Sequence, residues 1–196
     1  MKLKRLLAYV IDILLVGFIA SAISRIEVIN PFYDNYIEAY EKYSKELDSL
    51  NEDNVFDKIK SEEFVLDYQN VLKYGVYSSV ISITCYILYF GGFQKWNKNQ
   101  TVGKKLMRLK VVNKNNKDEV RMWQYILRTI IVYNLLFNSL NVVVSYVFKD
   151  ELFFTISIIT SIMGYVITYV GYIMILFRKD GCGLHDLVSG TKVVEV

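Results

Sequence analysis

Four long apolar runs divide this chain, and the stretches between them carry charge of opposite sign. The first run, Leu6–Ser24, is apolar or small throughout except for Asp12. Its length is about what a helix needs to cross the ~30 Å hydrocarbon layer of a bilayer. The second ends at Gly91-Gly92 and is uncharged from Tyr74 to Phe93. The third covers Ile126–Phe148, with Arg128 near its start, and the fourth covers Leu152–Phe177 without a charge. The pattern predicts an all-α integral membrane protein with four spans, near residues 6–26, 71–93, 125–148 and 152–177.

Residues 27–70 are different in kind. They carry twelve acids against four lysines, a balance of −8, and read as a soluble insert. Asn30-Pro31 predicts a helix start, with Asn as cap and Pro at the first helical position. Tyr33, Tyr36, Tyr40, Tyr43, Leu47 and Leu50 then recur every three or four residues, which predicts an amphipathic helix packed on a neighbour. A short helix over about Val55–Ile59 should follow, then one capped by Ser61 that runs on toward the second span.

The 94–124 stretch is the converse, with nine bases against two acids, a balance of +7. It contains a strand candidate, Arg108–Val112, a polar turn over Asn113–Asp118, and a possible return strand over Glu119–Met122. The tail ends in another β-branched run, Thr191–Val196. Leu109–Val112 and Lys192–Val194 are expected to meet in a small antiparallel sheet. Because Lys and Arg near span ends mark the cytoplasmic side, both termini, the basic loop and the sheet should be cytoplasmic, and the acidic insert extracytoplasmic. The expected location is a bacterial cytoplasmic membrane.

Composition adds little to this: 53% of the 196 residues are hydrophobic and the net charge is only +3. A single His and two Cys, Cys85 and Cys182, leave no basis for a metal site or a disulfide framework. No cofactor and no nucleic-acid partner is expected. An enzyme is not expected either, because no nucleophile–base pair is visible.

Candidate chemistry lies in the charges within the spans. An intramembrane carboxylate costs on the order of 3 kcal/mol unless paired. Arg5 shares a helical face with Asp12 but sits ~10 Å away along the axis, so Arg5 should remain near the headgroups and Asp12 needs another partner. Arg128 enters the bilayer from the same side, and an Arg128–Asp12 pair would offset both costs. Asn134, Asn138, Asn141 and Ser145 would form one polar stripe on the third helix, either for interhelical hydrogen bonds or as the wall of a hydrated path. The segment Gln100-Thr101-Val102-Gly103-Lys104-Lys105 looks like a phosphate loop but lacks the leading Gly and the Ser/Thr after the Lys. It is expected to be a Thr101-capped interfacial helix whose lysines face headgroups. Gly183–Gly190, with adjacent His185 and Asp186, reads as a surface turn docked on the helix ends.

Taken together, Arg5 and Asp12, Gln100-Thr101 with Gly103-Lys104, Leu109 with Val111-Val112, Arg128, and His185-Asp186 followed by Gly190-Thr191 and Val193-Val194 resemble the RDD family, small bacterial and archaeal membrane proteins named for an Arg and two Asp. Arg5, Asp12 and Asp186 match the naming residues. The resemblance covers residues 1–26 and 71–196. The chain departs from the pattern in the 27–70 insert and at Cys182, where a polar residue is more usual. The resemblance implies a membrane domain with transport suspected. Two functions follow as expectations. One is a transport module exchanging protons or small cations at Asp12. The other is a non-catalytic module that assembles with a partner through the acidic insert or binds anionic lipid through the basic loop. Four helices are few to enclose a path, so a homo-oligomer or an unidentified membrane partner is expected.

Overall fold

The computed structural model describes residues 2–51, 54–115 and 119–196. In chain order the elements are α1 (Lys2–Ser24), α2 (Tyr33–Asp48), α3 (Val55–Lys58), α4 (Glu62–Tyr74), α5 (Val76–Ile87), a π-helical turn (Leu88–Phe93), α6 (Gln94–Trp96), α7 (Val102–Leu106), β1 (Leu109–Asn113), α8 (Met122–Val132), α9 (Leu135–Val147), α10 (Asp150–Phe177), α11 (Leu184–Val188) and β2 (Thr191–Glu195). Among the described residues, three helical stretches are long and apolar enough to cross a membrane: Lys2–Ser24, Val76–Trp96 and Asp150–Phe177. A fourth crossing exists if α8 and α9 count as one span, since the two are bent by 63°.

That bend corrects the expectation of one straight third helix. The chain turns at Asn134, whose φ of 56° lies in the left-handed region. Asn tolerates that conformation better than most residues. Its side chain fills the space that Gly164 of α10 leaves open: a Cβ built at Gly164 would lie 2.4 Å from Asn134 Oδ1. The polar stripe is broken with it. Asn134 sits in the break, Asn138 is exposed, Asn141 donates to Ser161 Oγ at 2.8 Å, and Ser145 Oγ donates to the Val142 carbonyl.

The chain forms two compact units. The first combines the residues up to Ala20, Ser82–Leu136 and Gly164–Val196; the second combines Ser21–Ile81 and Phe137–Met163.

In the second unit α2 lies against α4, with Tyr43 in ring contact with Phe64 and Tyr68. Ser61 caps α4, its Oγ accepting from Phe64 N at 3.3 Å. The apolar centre is Val65, Val144 and Phe153. Buried Gln69 donates to the Ser145 and Phe148 carbonyls, which satisfies acceptors that the end of α9 leaves free. Asn30 does not cap a helix. The first turn of α2 begins at Tyr33, and Asn30 instead donates to the Ser24 carbonyl and to Ser78 Oγ.

In the first unit β1 and β2 pair antiparallel, Val111 opposite Val193 and Lys110 opposite Val194. Their inner face, Leu109, Val111 and Val193, packs with Ala8, Val120 and Tyr125. The expected return strand over Glu119–Met122 is not formed, since α8 begins at Met122 and β2 already occupies the partner edge. Of the polar turn before it, residues 116–118 lie outside the described residues.

Candidate functional site: a buried charge cluster under the sheet

The site lies in the first unit, and three short segments build it around α1. The π turn is the first. A π turn adds one residue to a helical repeat and re-aims the side chains beside it; here it contains the Gly91-Gly92 pair. It brings Tyr89 to Asp12, the phenol donating to Asp12 Oδ1 at 2.7 Å. The second segment is α7. Thr101 caps it as expected, its Oγ1 accepting from Lys104 N at 3.3 Å. Thr101 Oγ1 in turn donates to Asp12 Oδ2 at 2.5 Å, and Gly103 N donates to Asp12 Oδ1 at 2.8 Å. Glycine is required there because a Cβ at position 103 would stand 2.3 Å from the Ala8 carbonyl oxygen. Gln100 ties the loop to the sheet through the Leu109 carbonyl at 2.8 Å.

Asp12 is therefore 1% exposed and held by a phenol, a hydroxyl and a backbone N–H. The expected Arg128–Asp12 pair is not formed. The reason lies in the third segment, α11, which supplies a competing carboxylate. Asp186 is fully buried and receives both Arg128 Nη1 and Arg5 Nη2, the latter at 2.7 Å. Arg128 Nη1 also donates to Thr191 Oγ1, and Arg5 Nη1 to the Gly181 carbonyl. Asp186 reaches back to Gly183 N at 3.1 Å, the acceptor half of a capping box. Arg5 is thus drawn into the cluster, its side chain 9% exposed, and the Gly183–Gly190 turn is largely buried where a surface turn was expected: His185 is 5% exposed and Ser189 is 0%, as is Thr191 just after the turn. Gly183 permits this docking. A Cβ at Gly183 would meet the Gly171 carbonyl oxygen of α10 at 2.9 Å and Ile175 Cγ1 at 2.8 Å. Gln124 at the start of α8 clamps the same turn, donating to the Ser189 carbonyl at 2.7 Å.

Beside these two carboxylates lies a cavity of about 460 Å³, walled by Tyr9, Phe90, Tyr133 and Tyr172 and reached by Arg5, Asp12, Lys104 and Arg128. Lys104 faces this cavity where headgroups were expected. Its ammonium donates to Gln94 Oε1 at 3.1 Å and stands 5.6 Å from the centre of the Phe90 ring, within cation–π range. Burial, then repulsion by Arg128, pulls its pKa down to about 7. Tyr89 and Gln124 have no role in the sequence reading, which marks Thr191 only as part of a motif and a strand, without its bond to Arg128. Gly91-Gly92 was the one local signal for the π turn; nothing local marks the contacts of the other two.

Burial and the Arg128 charge push the His185 pKa down to about 3, so the ring is neutral at physiological pH. Asp186 is held below the usual carboxylate range by Arg128, His185 and Arg5, against the opposing effect of its burial. The two act in different pH windows. The unfolded chain protonates its histidine near pH 6.5, where the folded chain does not. Stability therefore falls as pH drops from about 6.5 toward 3, and Asp186 contributes its own loss only below about 3.8. Thermal melts of the detergent-solubilised protein should decline between pH 7 and 4.5, and His185→Gln should flatten that decline. An unchanged slope in the variant would assign the acid sensitivity elsewhere.

No curated protein and no solved structure matches this chain. A family model does: the RDD family, over residues 2–190, a range that runs through the 27–70 insert. The Arg and two Asp residues suggested by the sequence are Arg5 and Asp186, which form an ion pair, and Asp12, which anchors the α7 loop. The match and the apolar helices agree, and the chain belongs to the RDD family of membrane proteins.

Proposed function

We propose that this chain is a non-catalytic membrane module that recognises anionic lipid at the cytoplasmic face, and that it is not an ion carrier working through Asp12. The observation that carries this reading is the environment of Asp12. A carrier carboxylate must lose and regain its ion, whereas this one accepts from Tyr89, Thr101 and Gly103 N. Charge-assisted hydrogen bonds of that kind are worth roughly 1.5–3 kcal/mol each. Releasing them for every ion moved would open the junction between α1 and α7. Asp12 on this reading is a fastener that holds the basic loop against the first helix.

Lipid recognition is supported by the loop itself. Lys95 and Lys98 precede α7 and Lys105 lies within it, all three exposed, and juxtamembrane lysines attract anionic lipid by about 1 kcal/mol each. With both termini and the loop cytoplasmic, these residues meet the leaflet richest in such lipid. The acidic insert is, on this reading, the surface for a second copy or a membrane partner.

Reconstitution tests this. Purified protein in proteoliposomes should move Na⁺, K⁺ and H⁺ no faster than protein-free vesicles do. Ion flux in the native chain that vanishes in a well-folded Asp12→Asn variant would overturn the reading in favour of a carrier.

A further inference from the structure

The cavity of the first unit has a composition that the fold does not use up. Asp186 takes both arginines, and Asp12 takes three neutral donors. Four cationic side chains, Lys2, Arg5, Lys104 and Arg128, nevertheless line the space. Among the described residues neither lysine forms an ion pair. Lys2 donates to the Leu176 carbonyl, and Lys104 to Gln94 Oε1. Against two carboxylates the site is left with an excess of positive charge in largely apolar walls. Lys2 is exposed and lies at the rim, and Arg5 and Arg128 share the one Asp186 carboxylate, so Lys104 is the shielded cation without a counter-ion of its own. Such a charge is costly, and an anion entering here would gain from it and from the arginines beside it.

The mouth has its own character. Leu3 and Leu6 in the first two turns of α1 and Leu176 in the last turn of α10 line the cavity and are also more than half exposed. On membrane-crossing helices such leucines face acyl chains. The opening therefore leads sideways toward lipid hydrocarbon, close to the helix ends where headgroups lie.

We propose that this cavity binds the phosphate headgroup of an anionic phospholipid, with Lys104 and Arg128 holding the phosphate and the acyl chains leaving past Leu3, Leu6 and Leu176. The volume of about 460 Å³ suits a headgroup and the first carbons of one chain, within the roughly 300–1,000 Å³ of small-ligand sites. Arg128 keeps its bond to Asp186 through Nη1 and can offer its remaining donors to the phosphate. Burial and the neighbouring Arg128 lower the Lys104 pKa to about 7 against the opposing pull of Asp12 and Asp186, and a phosphate bound beside it would favour the charged form. The proposal rests on the lipid-recognition reading above and assigns that recognition to an internal site in addition to the exposed loop.

The test is a lipid titration of the full chain in neutral detergent, read by native mass spectrometry, with phosphatidylglycerol, phosphatidylcholine and inorganic phosphate as probes. Lys104→Gln removes the charge. Leu6→Trp narrows the mouth at an exposed position, so the fold is retained even if Lys104→Gln is unstable. A third variant, Lys95→Gln/Lys98→Gln/Lys105→Gln, neutralises only the exposed loop. The expected result is selective phosphatidylglycerol binding, weakened about tenfold in each cavity variant, about 1.4 kcal/mol, and far less in the loop variant. Binding unchanged in both cavity variants but lost in the loop variant would overturn this site while leaving lipid recognition standing. Equal affinity for phosphatidylcholine in the native chain would overturn both. Inorganic phosphate that competes as well as the lipid would overturn the lipid as ligand.

Discussion

Asp186→Asn should be among the most destabilising single changes in the chain. The variant keeps the size of the side chain and removes its charge. Arg5 and Arg128, both nearly buried, then lose their shared counter-ion and repel each other across the same gap. Removing one partner of a buried ion pair costs roughly 3–5 kcal/mol, because an uncompensated charge stays behind. For a chain of this length that corresponds to a fall in melting temperature of roughly 10 °C or more. The damage should be specific. Adding Arg128→Met to Asp186→Asn takes one stranded charge away and should recover a large part of the loss, so the two changes will not add. Melting curves of the two single variants and the double variant in one detergent provide the measurement. An Asp186→Asn protein that melts with the native one would mean that the cluster contributes nothing to stability.

Asp186 also shows where the sequence stopped being readable. The apolar runs were legible, because each is long and has few charges. The pairing of β1 with β2 was legible too, since two short β-branched runs faced few competitors. The partner of Arg128 was not. Two carboxylates were available, and choosing between them requires knowing that Gly183 lets α11 sink against α10. Without that close approach the Gly183–Gly190 turn reads as surface, and Asp12 becomes the nearest acid in depth. The break at Asn134 was hidden for the same kind of reason. On one helix its spacing from Asn138 looks like a stripe, and only Gly164, thirty residues later, provides the space into which Asn134 turns. Tyr89 was one aromatic residue among many until the π turn aimed it at Asp12. In each case the missing information was a contact between segments distant in sequence, and in two of them a glycine made room for it.

Gly103→Ala should be the other large loss, and it tests whether Asp12 is a fastener. The added methyl would lie 2.3 Å from the Ala8 carbonyl oxygen, 3.0 Å from the Ala8 carbonyl carbon and 3.0 Å from Asp12 Cγ. Two of these neighbours are backbone of α1 and cannot rotate away, so α7 has to lift. Lifting it separates Gly103 N and Thr101 Oγ1 from the carboxylate. Asp12→Ala reaches the same end from the other side, leaving those two donors and the Tyr89 hydroxyl without their acceptor. At ~1–3 kcal/mol for each buried group left unsatisfied, either change should cost on the order of 3 kcal/mol. Asp12→Asn should cost less, since its amide oxygen still accepts from Gly103 N. Because both mutations open one junction, Asp12→Ala with Gly103→Ala should be little worse than the poorer single variant. Hydrogen exchange gives the local readout: amides of α7 and of the 97–101 loop should lose protection in both single variants, while α10 keeps its own. Retention of α7 protection in Gly103→Ala would show that the helix does not depend on this contact, and Asp12 would then be free to act as the carrier that its three donors otherwise argue against.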